Sequence, residues 1–269
     1  MTPTSARFVA HTNGGSADVV LGVPCVGGDL DSAAQAVVAM ARDGRGGYAC
    51  FCNVHVLMLA QRDTTLREAL HGARAVFPDG APVAWLQRRR GNAGASRIAG
   101  PDVMPLVFDR GQALGLRHYL LGSTEQVLRG CSENLERAFP AAEIVGTSSP
   151  PFGDLHERDD AAVLAAIRKA SPDVLWVGLG APKQELWMSR HALSVAPALA
   201  LGVGAAFDFV ADAMARAPAC VQRAGLEWLH RMVHEPRRLG GRYLRTNSAF
   251  VVHAGIELAR RRPAQRDGS

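Results

Sequence analysis

Lysine is almost missing from this chain: 28 of its 30 basic residues are arginine, and only Lys169 and Lys183 are lysine. Aromatic residues make up 6% of it, too few for the stacking platform that single-stranded nucleic acid requires. No run of about 18 uncharged apolar residues occurs, so no transmembrane helix is readable. The opening MTPTSARFVAHTNGGSADVV lacks the long apolar core of a signal peptide, which predicts a cytoplasmic chain. The five cysteines (Cys25, Cys50, Cys52, Cys131, Cys220) are scattered and odd in number. Zinc would need a second ligand pair at suitable spacing, so Cys50 and Cys52, on one face of an apolar strand, read as buried free thiols. His230 and His234 stand four apart with no third ligand, and no metal is predicted.

Several phosphate-binding and hydrolytic signatures are missing too. Gly178-x-Gly180 and Gly202-x-Gly204 each begin a dinucleotide fingerprint, but Lys183 and Phe207 stand where its third glycine belongs. There is no G-x-x-x-x-G-K-[ST] loop and no G-x-S-x-G elbow. The only closely spaced Asp-x-Asp, Asp29-Leu-Asp31, comes early and at a predicted helix cap.

What is present is enough for a large globular core. The chain has 269 residues, 48% hydrophobic and 20% charged, which argues against global disorder and suits one α/β domain with an appendage. Its charge is uneven. From Arg216 onward there are 11 arginines and 4 acidic residues, a net of +7, whereas the first 215 residues carry a net of −2. The division predicts a loose terminus over 1–17, a core over 18–215 and a basic helical appendage over 216–269.

Apolar periodicity alternates along the core. Strands are predicted at 18–26, 48–53, 74–80, 117–123, 142–148, 173–180 and 198–204, with helices between them, and only helical patterns follow Ala205. Such alternation gives a Rossmann-like parallel sheet with helices on both faces. Ligands then bind beyond the carboxyl ends of the strands, which directs attention to Asn53, Asp79-Gly80, Gly122-Ser123-Thr124, Gly178–Lys183 and Gly202–Asp208. Glycine-rich strand ends leading into helices can cradle a diphosphate. Asp79 is either a carboxylate base or an ordinary Asp-Gly turn. Asn53 either binds substrate or caps the next helix. Arg97 can grip phosphate, and Asp102 is a ligand or a helix cap.

Four stretches closely resemble one family: FPDGAPVAW (77–85), RIAGPDVMP (97–105), VGLGAPKQELWMSRH (177–191) and RAPACVQRAGLEWLHRMVHEPRRLGGRYL (216–244). They are similar to the WecG/TagA/CpsF glycosyltransferases, glycosyltransferase family 26, over residues 20–250. The resemblance implies inverting sugar transfer, without metal or other cofactor, from a UDP-sugar to a polyprenyl-diphosphate-linked acceptor at the cytoplasmic membrane face. The transferred sugar is then N-acetylmannosamine, its uronic acid or glucose. It implies catalytic roles for Asp79 and Arg97. Substrate binding falls to Asn53, Gly80, Asp102, Gly178, Gly180, Lys183, Gln184, Gly202, Gly204 and Asp208. Asp208 is the alternative base, and Glu185 caps a helix. Two positions depart from the family pattern: its Thr-x-Asn is Phe51-Cys-Asn53 here, and its Ala-Gly is Ala211-Asp212.

The family's appendage carries arginines proposed to fold over the site at the membrane. Here Arg238, Arg242 and Arg245 fall on one helix face, with Arg231 and Arg237 nearby and Trp228, Met232, Tyr243 and Leu244 supplying apolar surface. An arginine face beside apolar residues suits an anionic membrane surface or a lipid diphosphate. The expected partners are therefore donor, lipid-linked acceptor and membrane, and not nucleic acid. A nucleic-acid-binding α/β protein and an inactive assembly scaffold are the alternatives weighed against this reading. Oligomeric state is left open, a homo-oligomer included.

Overall fold

The computed structural model describes residues 17–151, 157–214, 217–218, 221, 229 and 236–260. A small antiparallel hairpin comes first, β1 (Ala17–Val20) paired with β2 (Val23–Val26). The single strand expected over 18–26 is thus two. Leu21 and Gly22 both take positive φ, 46° and 78°, the conformation of a tight hairpin turn, and this folds the segment back on itself. The hairpin forms its own two-stranded sheet and does not join the parallel one.

The main chain then alternates. α1 (Leu30–Arg42) leads to β3 (Gly47–Cys52), α2 (Val54–Ala60), α3 (Thr64–Gly72), β4 (Ala75–Pro78), α4 (Ala81–Arg89) and α5 (Gly100–Gln112). β5 (Arg117–Gly122), α6 (Glu125–Ala138), β6 (Glu143–Ser148), α7 (Glu157–Ala170) and β7 (Val174–Gly178) follow. α8 (Lys183–His191), β8 (Leu199–Gly202), α9 (Ala206–Val210) and a terminal helix, α10 (Pro236–Arg260), complete it. Local caps start several helices: Asp29 accepts from Ser32 N and its own N–H is held by the Ser32 hydroxyl, while Asp63 and Thr124 cap α3 and α6.

Six strands form one parallel sheet in the order β4-β3-β8-β7-β5-β6. The central strands are buried on both faces, as their unbroken apolar runs require. Alternate residues divide between two cores. Tyr48, Cys50, Cys52, Leu175 and Val177 face one side, with α2, α3, α7, α8, the hairpin and α10 over them. Ala49, Phe51, Trp176, Leu199 and Leu201 face the other, under α1, α5, α6 and α9. Cys25, Cys50, Cys52 and Cys131 are buried free thiols, and Cys220 lies outside the described residues.

β5 passes outward to the edge strand β6, whereas β7 passes inward to β8. Connections therefore diverge between two neighbouring strands, which opens a crevice at their carboxyl ends. Gly122 and Gly178 are paired there. A Cβ on Gly122, whose φ is 119°, would stand 2.6 Å from the carbonyl carbon and oxygen of Gly178, so the strand ends close up only because residue 122 is glycine.

Candidate active site

Four neighbouring strands, β4, β3, β8 and β7, bring most of the expected residues to one rim. Asn53 follows β3 and caps α2, its Oδ1 accepting from Val56 N at 3.2 Å. Asp79 follows β4, and its backbone N–H donates to Cys52 O at 3.0 Å. That bond extends the parallel ladder one residue past the strand and holds Asp79 beside Asn53. Gly80 then turns the chain at φ 121° into α4, whose start has no side-chain cap. Asp79 is partly buried, and its charge helps raise the thiol of Cys52, which burial already pushes well up.

Arg97 reaches the same rim from the loop before α5. Ile98 N donates to Pro78 O at 2.9 Å, tying the loop to the residue that precedes Asp79. The Arg97 guanidinium donates to Asp102 Oδ2 at 2.8 Å. Asp102 stands in the first turn of α5, where a negative charge favours the helix, but Ala99 is the cap residue and no side chain caps it. Asp102 therefore orients Arg97. At Gly100, α5 comes so close to β8 that a Cβ would lie 3.1 Å from Val203 Cα. The start of α5, between Arg97 and Asp102, is in this way packed against the β8 loop.

Gln184 ties the β7 and β8 loops together. Its Oε1 accepts from Gly204 N at 3.0 Å, and its Nε2 donates to Gly202 O at 3.0 Å and to Glu185 Oε1 at 2.9 Å. Gln184 is 3% exposed and Glu185 is fully buried. Burial pushes the Glu185 carboxyl up to about 7. The four glycines of these loops differ. At Gly178 the space of a side chain is taken by the Phe207 ring, and at Gly202 by Met188 and Gln184, so both are glycine for packing inside the protein. Gly180 takes φ 78° with no atom within 4 Å of a Cβ, and Gly204 takes φ 58°. Lys183 is exposed at the start of α8.

Asp208 begins α9, which packs on α6 and α5, and its charge adds to the burial that raises Cys131 of α6. Asp212 stands at φ 54° and accepts from Asn134 Nδ2 at 3.3 Å. This is the left-handed conformation, which Asp tolerates better than most residues. Among the described residues no three His, Cys, Asp or Glu side chains gather as metal ligands.

The terminal helix carries Arg237, Arg238, Arg242 and Arg245 on its first half; their side chains, and Arg231 altogether, lie outside the described residues, as do His230 and His234. Its second half is docked. Phe250 and Ala254 enter the core beside α2. Glu257 pairs with Arg90 and accepts from Leu21 N at 3.1 Å, while Arg90 Nε donates to both Asp18 oxygens at 3.0 Å. No helix among the described residues is long and apolar enough to cross a membrane.

Sequence reasoning missed two of these features. Glu185 reads as a helix cap, yet no side chain caps α8, and among the described residues Glu185 is an acid with no exposure at all. Arg90, the last of the run Arg88-Arg89-Arg90, carries no motif of its own; the signal was Glu257, the lone acid between Pro236 and Arg260.

Residues 19–264 match the model of the "Glycosyl transferase WecG/TagA/CpsF family". Two similar proteins are each named N-acetylglucosaminyldiphosphoundecaprenol N-acetyl-β-D-mannosaminyltransferase. The one from Bacillus spizizenii is 28% identical over 194 residues, 72% of this chain and 74% of that protein. The one from Bacillus subtilis is 28% identical over 186 residues, 69% of this chain and 71% of that protein. With a glycine-lined rim at the carboxyl edge of a parallel sheet, a carboxylate and an oriented arginine on it, and a family match across nearly the whole chain, this protein belongs to the WecG/TagA/CpsF glycosyltransferases.

Proposed function

We propose that the chain moves a sugar from a UDP-sugar to an undecaprenyl-diphosphate-linked N-acetylglucosamine acceptor, in one inverting displacement that needs no metal. N-acetylmannosamine is the sugar favoured by the names of both relatives. The observation that carries this reading is the junction of Asp79 and Arg97 at one strand end through the Ile98 N to Pro78 O bond.

The chemistry follows from those two groups. The acceptor hydroxyl oxygen attacks C1 of the sugar, the bond from C1 to the UDP oxygen breaks, and the hydroxyl proton passes to the Asp79 carboxylate. Negative charge gathers on the departing diphosphate. Arg97, held by Asp102, stabilises it with fixed donors, helped by the amino end of α8 and by Lys183. Asn53, Gly80, Gly178, Gly180, Gln184, Gly202, Gly204 and Asp208 line or shape the donor cradle. Arg231, Arg237, Arg238, Arg242 and Arg245 take the lipid diphosphate and the anionic membrane surface. Support for the last role is that α10 docks on α2, whose cap is Asn53, and extends from Phe250 toward its amino end by 1.5 Å per residue.

The test is a panel of UDP- and GDP-sugars offered with a polyprenyl-diphosphate-linked N-acetylglucosamine acceptor. UDP-N-acetylmannosamine should give transfer with inversion, undiminished by EDTA. Asp79→Asn should lower kcat by about 10² to 10⁴, the range of a lost general base, with an unchanged melting temperature. Full turnover in that variant removes Asp79 from the mechanism, and no transfer from any UDP-sugar defeats the reading.

A further inference from the structure

Glu185 is the acidic group that the proposed mechanism leaves unused. It is fully buried at the third position of α8. One of its oxygens accepts from Gln184 Nε2 at 2.9 Å; the other has no hydrogen-bond partner among the described residues. A buried oxygen left unmatched destabilises a fold. A leucine of similar size would remove that penalty, so stability does not account for an acid here.

Its hydrogen bond to Gln184 has a geometric consequence. The Gln184 amide has two N–H donors, and both are occupied, one by Gly202 O and one by Glu185 Oε1. Its oxygen is thereby turned to Gly204 N at 3.0 Å. Reversing the amide would set its oxygen against Gly202 O and Glu185 Oε1 and its N–H groups against Gly204 N–H. Only the orientation seen is compatible with all three neighbours. Gly204 lies past the last ladder bond of β8, in the left-handed conformation, and the side chain of Gln184 is what holds its amide.

We propose that Glu185 is a positioning residue: as a buried acceptor it fixes the Gln184 amide, and through it the Gly202–Gly204 segment of the donor-binding rim. It acts without touching substrate. Its consequence for donor affinity rests on the transferase reading above, while the clamp itself does not.

Glu185→Gln, Glu185→Leu and, as a reference, Gln184→Ala separate the roles. Glu185→Gln keeps an acceptor oxygen and should leave Gly204 amide exchange and donor KM within about twofold of wild type. Glu185→Leu should melt no lower than wild type. Its Gly204 amide should nevertheless exchange about tenfold faster, as in Gln184→Ala, the scale of one lost buried hydrogen bond. Its donor KM should rise by about the same factor, with kcat within about threefold. Unchanged Gly204 exchange in Glu185→Leu, or exchange equally fast in Glu185→Gln, overturns the proposal. Wild-type protein that turns over no UDP-sugar defeats the transferase reading instead, and Gly204 exchange still decides the clamp.

Discussion

Arg90 and Glu257 form an ion pair that joins the end of α4 to the terminal helix, and the Arg90 side chain is 1% exposed. Asp18 holds the same guanidinium from the hairpin, so three segments remote in sequence meet on one charge. Breaking one arm of a buried pair is costly because a charge is left without full compensation. Glu257→Ala should destabilise by about 1–3 kcal/mol, less than the full penalty since Asp18 remains. Limited proteolysis should cut first within α10. Val252→Ser on the same helix, 58% exposed in wild type, should change stability by no more than about 0.5 kcal/mol. Equal protease resistance in Glu257→Ala and wild type would show that the apolar contacts of Phe250 and Ala254 hold the helix alone.

The Glu185 carboxyl binds its proton more tightly in the folded chain, at about 7, than at its ordinary value of 4.5. Between those values the folded state holds more protons than the unfolded one, so this group's contribution to stability falls as pH rises through the window and levels off above it. The loss amounts to about 3 kcal/mol at most. Chemical denaturation from pH 4.5 to 8 should therefore show Glu185→Gln gaining on wild type with rising pH. Parallel curves for the two proteins contradict this.

His118 shifts the other way. It is buried against Phe108, its ring stacked at 3.9 Å between centroids, and Trp176 Nε1 donates to its Nδ1 at 3.2 Å. Indole nitrogen only donates, so the proton of this neutral imidazole sits on Nε2. Burial pulls its pKa from 6.5 down to about 3. Stability from this group is complete above 6.5 and is lost as pH falls toward 3, because the unfolded chain protonates first. In ¹⁵N spectra Nδ1 of His118 should keep the shift of an unprotonated nitrogen from pH 8 to 5. A midpoint near 6.5 would contradict its burial.

Two glycines of the rim should respond very differently to alanine. Gly122→Ala forces a Cβ to 2.6 Å from Gly178 backbone atoms at φ 119°, and should cost about 3 kcal/mol or more through strain and displaced strand ends. Gly180→Ala meets nothing within 4 Å and should cost about 1–2 kcal/mol, the left-handed penalty alone. Thermal unfolding of both variants checks the order. A Gly122→Ala protein as stable as Gly180→Ala would mean that β5 and β7 part easily.

Much of this was readable in one dimension. Alternating apolar runs gave the parallel strands, because a strand buried on both faces must be apolar throughout. Residues after those strands formed the rim, because parallel strands all end on one side. The 18–26 segment reads as one strand but is two, since its turn depends on two positive φ values that Leu21-Gly22 only weakly announces. Gln184 was legible as important, but its bonds to Gly202 and Gly204 come from a loop of another strand.

The sequence by itself determined the fold class, the rim and the concentration of positive charge after Arg216, since periodicity, strand ends and net charge are local or additive properties. Tertiary structure decided which charges are buried and what they hold: Arg90 on Asp18 and Glu257, Arg97 on Asp102, Glu185 behind Gln184. Burial of a charge is set by partners distant along the chain, and a charge pair or an oriented amide exists only once packing has excluded water around it.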